Sequence, residues 1–345
     1  GADATRWYMI ANANPWDNLK FDTEGIVEVK RKFFGTLYNT YSFFSLYANL
    51  DHFDNSAPQI PLADRPEIDR WVLSELNSLI IRVEAAYETY EPTKAARAIS
   101  DFVQENLSNW YVRLCRRRFW KGEYGPDKIA AYQTLYECLL VVSKLSAPIA
   151  PFFMDRLYLD LAGVCDPNVK ESVHLAQFPE PNSAVIDSDL ERKMQLAQQT
   201  CSLVLSIRQK EKIKVRQPLQ KIMVPVSALV KAIDLKAIAS LILSEVNVKE
   251  LEILADSSDI LVKQIKPNFK TLGPKFGPKM KAVATAIQSL TSKDINQMEL
   301  NGAIELLVDG DKIALELSDV EISSQDIEGW LVASSGALTV ALDAT

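Results

Sequence analysis

The sequence predicts a mostly α-helical protein, in which an antiparallel helical bundle is followed by a smaller α+β region. Apolar residues recur every three or four positions over residues 22–162, which is the spacing of one helix face. After about residue 210 the pattern changes to short β-branched runs separated by turn residues, as in strands. The chain has 345 residues, 48% of them hydrophobic, so it is long enough for two or three domains.

Prolines and glycines set the ends of the helices predicted for the bundle. Pro66 and Pro92 each stand in a first helical turn, where the missing N–H would have no helical partner anyway. Gly122 and Pro148 each follow the end of a helical pattern. We expect helices at residues 24–50, 66–90, 92–120 and 127–147. The short connections between them favour antiparallel neighbours.

Residues 162–181 are rich in Gly, Asp, Pro and Asn, a composition typical of a connector. A further helix is predicted at residues 187–210, with helical pieces at 230–243 and 278–290. We expect strands at residues 222–226, 248–254, 260–265, 304–308, 313–317, 330–333 and 337–342, with a turn at Asp309-Gly310. The predicted organisation is a linking segment at 1–21, the bundle at 22–180, and a junction helix with an α+β domain at 181–345.

The sequence offers few residues for catalysis or metal binding. His52 and His174 are the only histidines, and neither belongs to a zinc-protease or Ser/His/Asp pattern. The four cysteines are 23, 27 and 36 residues apart, which fits a reducing cytoplasm and no zinc site. No glycine-rich nucleotide loop is present, and no apolar run approaches the ~20 residues that cross a bilayer. We therefore expect a cytoplasmic protein without a metal, a catalytic residue or a membrane partner.

The charge is uneven along the chain. The formal net charge is −7, yet residues 208–281 hold 15 basic and 7 acidic side chains, whereas residues 294–345 hold 11 acidic side chains and one lysine. An acidic protein can therefore present a locally basic face. Binding of a polyanion depends on that local charge rather than on the total.

The stretch Asn109–Lys121 is the strongest candidate for a binding surface. It holds five basic residues, four aromatic residues and no acidic one. Guanidinium groups fork onto phosphates and exposed aromatic rings stack on unpaired bases, so the stretch predicts contact with single-stranded RNA. The candidate residues are Trp110, Arg113, Arg116, Arg117, Arg118, Trp120 and Lys121. Alternatively, the arginines complement the helix dipole as a solvated basic end, and the tryptophans belong to the core.

A second basic stretch follows the helix predicted at 187–210. If it is extended, alternation places Lys212, Lys214 and Arg216 on one side and Ile213 and Val215 on the other. A third stretch carries six lysines between residues 263 and 281, around Gly-Pro turns. Each stretch could be an ordinary solvated edge, but three of them in one acidic chain favour a polyanion partner.

These residues also carry a resemblance to a known family. The start, Gly1-Ala-Asp-Ala-Thr-Arg6, is similar to the segment after the KMSKS loop in class I aminoacyl-tRNA synthetases of the isoleucine, valine and leucine group. Residues 107–120 resemble the anticodon-binding bundle of isoleucyl-tRNA synthetases, and residues 213–219 resemble the junction after it. Residues 266–277 resemble the C-terminal region of the eukaryote-like form. The matching motifs keep their order over almost the whole chain.

The resemblance implies a C-terminal fragment that begins just after the KMSKS loop and is joined, in the parent polypeptide, to catalytic and editing domains. Its implied partner is isoleucine tRNA, recognised at the anticodon stem-loop, and its implied state is a monomer. The parent ligase would use ATP and Mg²⁺ to attach isoleucine. Because this chain has neither HIGH nor KMSKS, the resemblance implies no cofactor here and no activity of the chain alone.

Three alternatives stay open on the sequence. The chain could be the corresponding fragment of a valyl- or leucyl-tRNA synthetase, which share the opening motif. It could be a non-catalytic RNA-binding adaptor that functions as a separate protein. It could also be a purely structural helical scaffold, although its basic stretches disfavour this.

Overall fold

The computed structural model describes residues 1–165, 171–226, 230–255, 261–308, 311–326, 330–336 and 338–343. The chain divides into two compact units, Gly1–Glu191 and Arg192–Thr345. The division falls within one long helix, a little after the domain boundary expected at residues 180 and 181. No helix among the described residues has the length and apolar character that a membrane span requires.

The first unit is helical, as predicted. Its helices are α1 (Ala2–Asn12), α2 (Thr23–Val29), α3 (Gly35–Leu50), α4 (Glu67–Glu88), α5 (Pro92–Asp101), α6 (Arg113–Trp120), α7 (Pro126–Ser146) and α8 (Pro151–Cys165). A π-helical turn at Lys30–Phe34 joins α2 to α3, and a π-helical stretch at Phe102–Val112 joins α5 to α6. The four predicted helices are therefore confirmed as continuous helical runs, to within a few residues at each end.

The core of this unit consists of aromatic and aliphatic side chains from each of these helices except α2, which has no buried residue. The rings of Trp7 and Phe33 stack with their centroids 4.0 Å apart, and Trp7 Nε1 donates to Ser100 Oγ at 3.0 Å. Asp3 accepts hydrogen bonds from the backbone N–H of Phe152 and Phe153, at 3.1 and 2.7 Å, and so caps α8. Within residues 1–21, expected to be a linking segment, Ala2–Asn12 form helix α1, and its Asp3 and Trp7 pack within the first unit.

The second unit is α+β, again as predicted. Helix α9 (Ser188–Lys210) leads into it, followed by α10 (Ala232–Val246), α11 (Phe269–Phe276), α12 (Met280–Gln288) and α13 (Ser292–Asn301). Its strands are β1 (Leu219–Pro225), β2 (Val248–Leu254), β3 (Leu261–Pro267), β4 (Ala303–Val308), β5 (Asp311–Glu316), β6 (Val320–Asp326), β7 (Trp330–Ser335) and β8 (Leu338–Asp343). The predicted turn at Asp309-Gly310 lies outside the described residues.

Three sheets organise these strands. A mixed sheet has the order β2-β1-β8-β7, in which β1 and β2 are parallel and α10 is the crossover between them. Strand β8 runs antiparallel to both β1 and β7. Strands β3 and β6 form an antiparallel pair, and β4 and β5 form another. A core cluster that includes Ile265, Leu272 and Ile287 packs α11, α12 and α13 against the two-stranded sheets.

Candidate nucleic-acid interface

The arginine-rich residues lie at the end of the continuous helical run that begins at Pro92. The run ends at Lys121, whose backbone is extended, and Gly122 follows with a positive φ of 88°. Such a φ suits glycine, which has no Cβ to clash. The helix therefore stops directly after Trp120, and its last turn projects basic side chains.

Three side chains at the end of this helical run face the core. Tyr111, Cys115 and Phe119 are buried, and Phe119 packs edge-to-face against Tyr132 with centroids 5.0 Å apart. Burial raises the pKa of Tyr111 well above its ordinary value, and the negative charge of Asp69 raises it further. The hydroxyl is therefore protonated and donates to Asp69 Oδ1 at 3.0 Å. Burial also raises the pKa of the Cys115 thiol to about 12, so this thiol is not a reactive thiolate.

Arg118 belongs to this inner face rather than to the proposed binding surface. Its Nη2 donates to Asp69 Oδ2 at 2.8 Å, and its Nε donates to Asp127 Oδ2 at 3.1 Å. Its side chain is only 16% exposed. The guanidinium donates to two carboxylates and is a structural anchor. Because these donors are occupied, Arg118 does not belong with the candidate RNA-binding residues.

Trp110 is not available for stacking on RNA either. It is 6% exposed and belongs to the core of the first unit. A ring without a free face cannot stack on a base. The position of Trp110 therefore agrees with the alternative in which it is a core residue.

The outer face of α6 presents a basic stripe, which we define as Arg113, Arg116, Arg117, Trp120 and Lys121. All five side chains are exposed. Arg113 Nε donates to the carbonyl of Asn109 at 2.7 Å, which holds this arginine along the helix. Arg116, Arg117 and Lys121 have no ion-pair partner in the part of the chain that the structure describes. Their charges are therefore available to an anion.

Arg116 lies between two aromatic rings. Its guanidinium carbon is 5.8 Å from the ring centroid of Phe43 and 5.9 Å from that of Trp120. Cation–π attraction at these distances orients Trp120, which nevertheless keeps half of its surface exposed. The stripe thus combines an oriented, half-exposed aromatic ring with adjacent cations. Sequence reasoning missed Phe43, which lies on α3 and reaches α6 through the tertiary fold.

The second basic stretch is a loop, and its predicted strand alternation is wrong. Strand β1 begins only at Leu219, Lys212 has a left-handed backbone with a φ of 58°, and Val215 is exposed. Lys212, Lys214 and Arg216 are all exposed and have no ion-pair partner among the described residues. This loop belongs to the second unit and forms a separate candidate contact.

The third stretch is partly occupied by internal contacts. Lys275 Nζ lies 2.8 and 2.9 Å from the two carboxylate oxygens of the buried Asp319. The hydrogen bonds to Asp319 raise the pKa of Lys275. Lys266, Lys279 and Lys281 are exposed, whereas the side chains of Lys263 and Lys270 lie outside the described residues.

Comparison with known proteins places the first two stretches in a defined domain. Residues 69–223 match the family described as the anticodon-binding domain of tRNA ligase. This range contains both the basic stripe and the loop that carries Lys212, Lys214 and Arg216.

The whole chain also resembles isoleucine–tRNA ligases. The protein of that name from Porphyromonas gingivalis is 58% identical over 345 residues, and the one from Bacteroides fragilis is 56% identical over 345 residues. Each alignment covers 100% of this chain and 30% of the relative. The Thermus thermophilus protein is 39% identical over 342 residues, which are 99% of this chain and 33% of the relative.

The chain thus spans about a third of the length of the relatives that it matches. Among the possibilities left open by the sequence, these relatives support isoleucine over valine or leucine. The chain therefore matches part of the isoleucine–tRNA ligases over its whole length, and residues 69–223 match the anticodon-binding domain of tRNA ligase.

Proposed function

We propose that the chain binds the anticodon stem-loop of isoleucine tRNA through the basic stripe on α6. The observation that carries this proposal is the stripe itself, which lies within the matched anticodon-binding domain. Arg116, Arg117 and Lys121 are exposed without an ion-pair partner in the described chain, and the half-exposed ring of Trp120 lies beside them.

The chemistry of an anticodon loop suits such a surface. Its unpaired bases can leave the stack and offer a π-face to an aromatic side chain, at ~1–3 kcal/mol per stacked base. Its phosphates attract the planar, permanently charged guanidinium of arginine, which can form two parallel hydrogen bonds. In the proposal, Trp120 stacks on a base while Arg113, Arg116, Arg117 and Lys121 bind the adjoining phosphates.

The proposed role in the longer protein is to position the tRNA while isoleucine is attached to its acceptor end. That reaction consumes ATP with Mg²⁺, and we place both outside this chain, whose sequence contains neither a HIGH nor a KMSKS motif. The chain alone is expected to be inactive in aminoacylation and to bind tRNA as a monomer in the cytoplasm. Lys212, Lys214 and Arg216 are proposed as a further set of tRNA contacts.

The proposal is tested by the affinity of the whole chain for synthetic stem-loops. We expect the isoleucine anticodon stem-loop to bind about tenfold or more tightly than the same stem closed by a stable tetraloop, since that loop removes the stacked bases. Equal affinity for the two hairpins would instead favour the RNA-binding adaptor, which reads only the charge of the backbone. No measurable binding of either hairpin would leave the structural scaffold as the better account.

A further inference from the structure

Arg208 is a buried arginine near the end of α9 whose guanidinium is held by main-chain carbonyls. It is 1% exposed. Its Nη1 donates to the carbonyls of Lys214 and Gln217, both at 3.1 Å, and its Nη2 donates to the carbonyl of Asn247 at 3.1 Å. Within the described residues no carboxylate pairs with it. Burying a guanidinium without a carboxylate partner carries a large desolvation penalty. The position of Arg208 therefore indicates a role beyond packing.

Two of the three carbonyls that Arg208 binds, those of Lys214 and Gln217, belong to one loop, which we call the basic loop and define as residues 211–218. The loop is fixed at other points too. The N–H of Ile213 donates to the carbonyl of Arg208 at 2.8 Å, and Asn247 Nδ2 donates to the carbonyl of Val215 at 2.9 Å. Several loop carbonyls therefore point inward to fixed donors, and the backbone has a defined shape without any ligand.

The side chains of the basic loop face the solvent. Lys212, Lys214 and Arg216 are exposed and have no ion-pair partner in the described part of the chain. Because no carboxylate neutralises Arg208, its charge adds to theirs from beneath the loop. The loop is thus both preformed and electropositive. A preformed loop loses less conformational freedom when it binds, and uncancelled positive charge attracts a polyanion.

We propose that Arg208 is a positioning residue for tRNA binding: it holds the basic loop in the shape in which Lys212, Lys214 and Arg216 bind backbone phosphates. The inference rests on the proposed function, because it takes tRNA as the polyanion. Arg208 is too buried to touch the RNA and acts through the loop. A residue that merely stabilised the second unit would affect tRNA binding independently of the loop charges.

Two substitutions loosen the loop without changing its charge. Arg208→Lys keeps the positive charge, but a single ammonium replaces the planar fork that reaches three carbonyls. Asn247→Gly removes the bond to Val215, and glycine tolerates the left-handed φ of 52° at this position. Each is made in the native chain and in a variant that carries Lys212→Ala, Lys214→Ala and Arg216→Ala.

The affinity of the whole chain for an isoleucine tRNA transcript is then measured in both backgrounds. We expect Arg208→Lys to weaken binding about tenfold with the native loop and less than about twofold when the three charges are absent, because its effect passes through them. The same loss in both backgrounds, or no loss in either, would overturn the inference. If Arg208→Lys does not fold, the same comparison with Asn247→Gly decides. Failure of the unsubstituted chain to bind the transcript would refute the proposed function instead.

Discussion

Arg118 binds Asp69 through both of its terminal nitrogens, with Nη2 at 2.8 Å from Oδ2. Asp69 has no exposed surface, and the hydroxyl of Tyr111 donates to the same carboxylate. The pair joins the first turn of α4 to the last turn of α6. The basic stripe therefore lies on a helix whose orientation is fixed from inside the bundle.

Replacing Arg118 by Ala is expected to lower the free energy of unfolding by about 3–5 kcal/mol, because it leaves the carboxylate of Asp69 buried and unpaired. Denaturant unfolding measures the change. Arg117→Ala is the matched control, since it removes an exposed neighbour on the same helix and should change stability by no more than ~0.5 kcal/mol. Equal effects of the two substitutions would show that Arg118 is not an anchor.

Arg117→Ala and Lys121→Ala should each reduce the magnitude of the salt slope for binding the anticodon stem-loop by roughly 0.7–0.9, because each removes one phosphate contact. The slope is obtained from the affinity at several salt concentrations. Lys94→Ala serves as the control, because Lys94 is exposed on α5 and pairs with Glu91 at 2.6 Å. Unchanged slopes for both stripe variants would remove these residues from the interface.

The two tryptophans of the arginine-rich stretch should respond in opposite ways to truncation. Trp120→Ala is expected to weaken RNA binding by about 1–3 kcal/mol and to leave the unfolding midpoint nearly unchanged, since it removes a half-exposed ring. Trp110→Ala should instead cost ~3 kcal/mol or more in stability, because it opens a cavity in the core. Both quantities are measured for both variants. A Trp120 variant that loses stability but not affinity would contradict the proposed stacking role.

Glu75 should make the first unit more stable in mild acid than at neutral pH. Burial, together with the charge of Glu191, raises the pKa of Glu75 from 4.5 to about 7. The folded state then binds a proton that the unfolded state has released, so stability falls as pH rises from about 4.5 to 7, by roughly 3 kcal/mol. Glu75→Gln should remove this contribution from the pH profile of unfolding. A profile that is identical in the variant would refute the assignment to Glu75.

The helices of the bundle were predictable because their signals are local. Pro66, Pro92 and Gly122 each act on the backbone of their own turn, and the helices begin or end close to them. The spacing of apolar residues also gave the outward face of α6, where Arg113, Arg116 and Arg117 are exposed as expected. These features need no knowledge of distant residues.

The remainder depended on contacts between distant parts of the chain. From the sequence, Arg118 is another member of a basic stretch. In the fold, its guanidinium binds Asp69, which lies 49 residues earlier in the chain. The ring of Phe43 beside Arg116 comes from another helix in the same way. The basic loop has the alternation of a strand, but the buried Arg208 binds its carbonyls and no neighbouring strand pairs with it among the described residues. Sequence spacing does not encode such partners.

The central claim, that the basic stripe binds the anticodon loop, is tested most directly by site-specific crosslinking. A photoreactive amino acid is introduced in place of Arg117, or in place of Lys94 as a control, and the whole chain is irradiated with isoleucine tRNA. The account predicts crosslinks from position 117 to nucleotides of the anticodon loop and none to that loop from position 94. Crosslinks from position 117 that map elsewhere on a bound tRNA would contradict it.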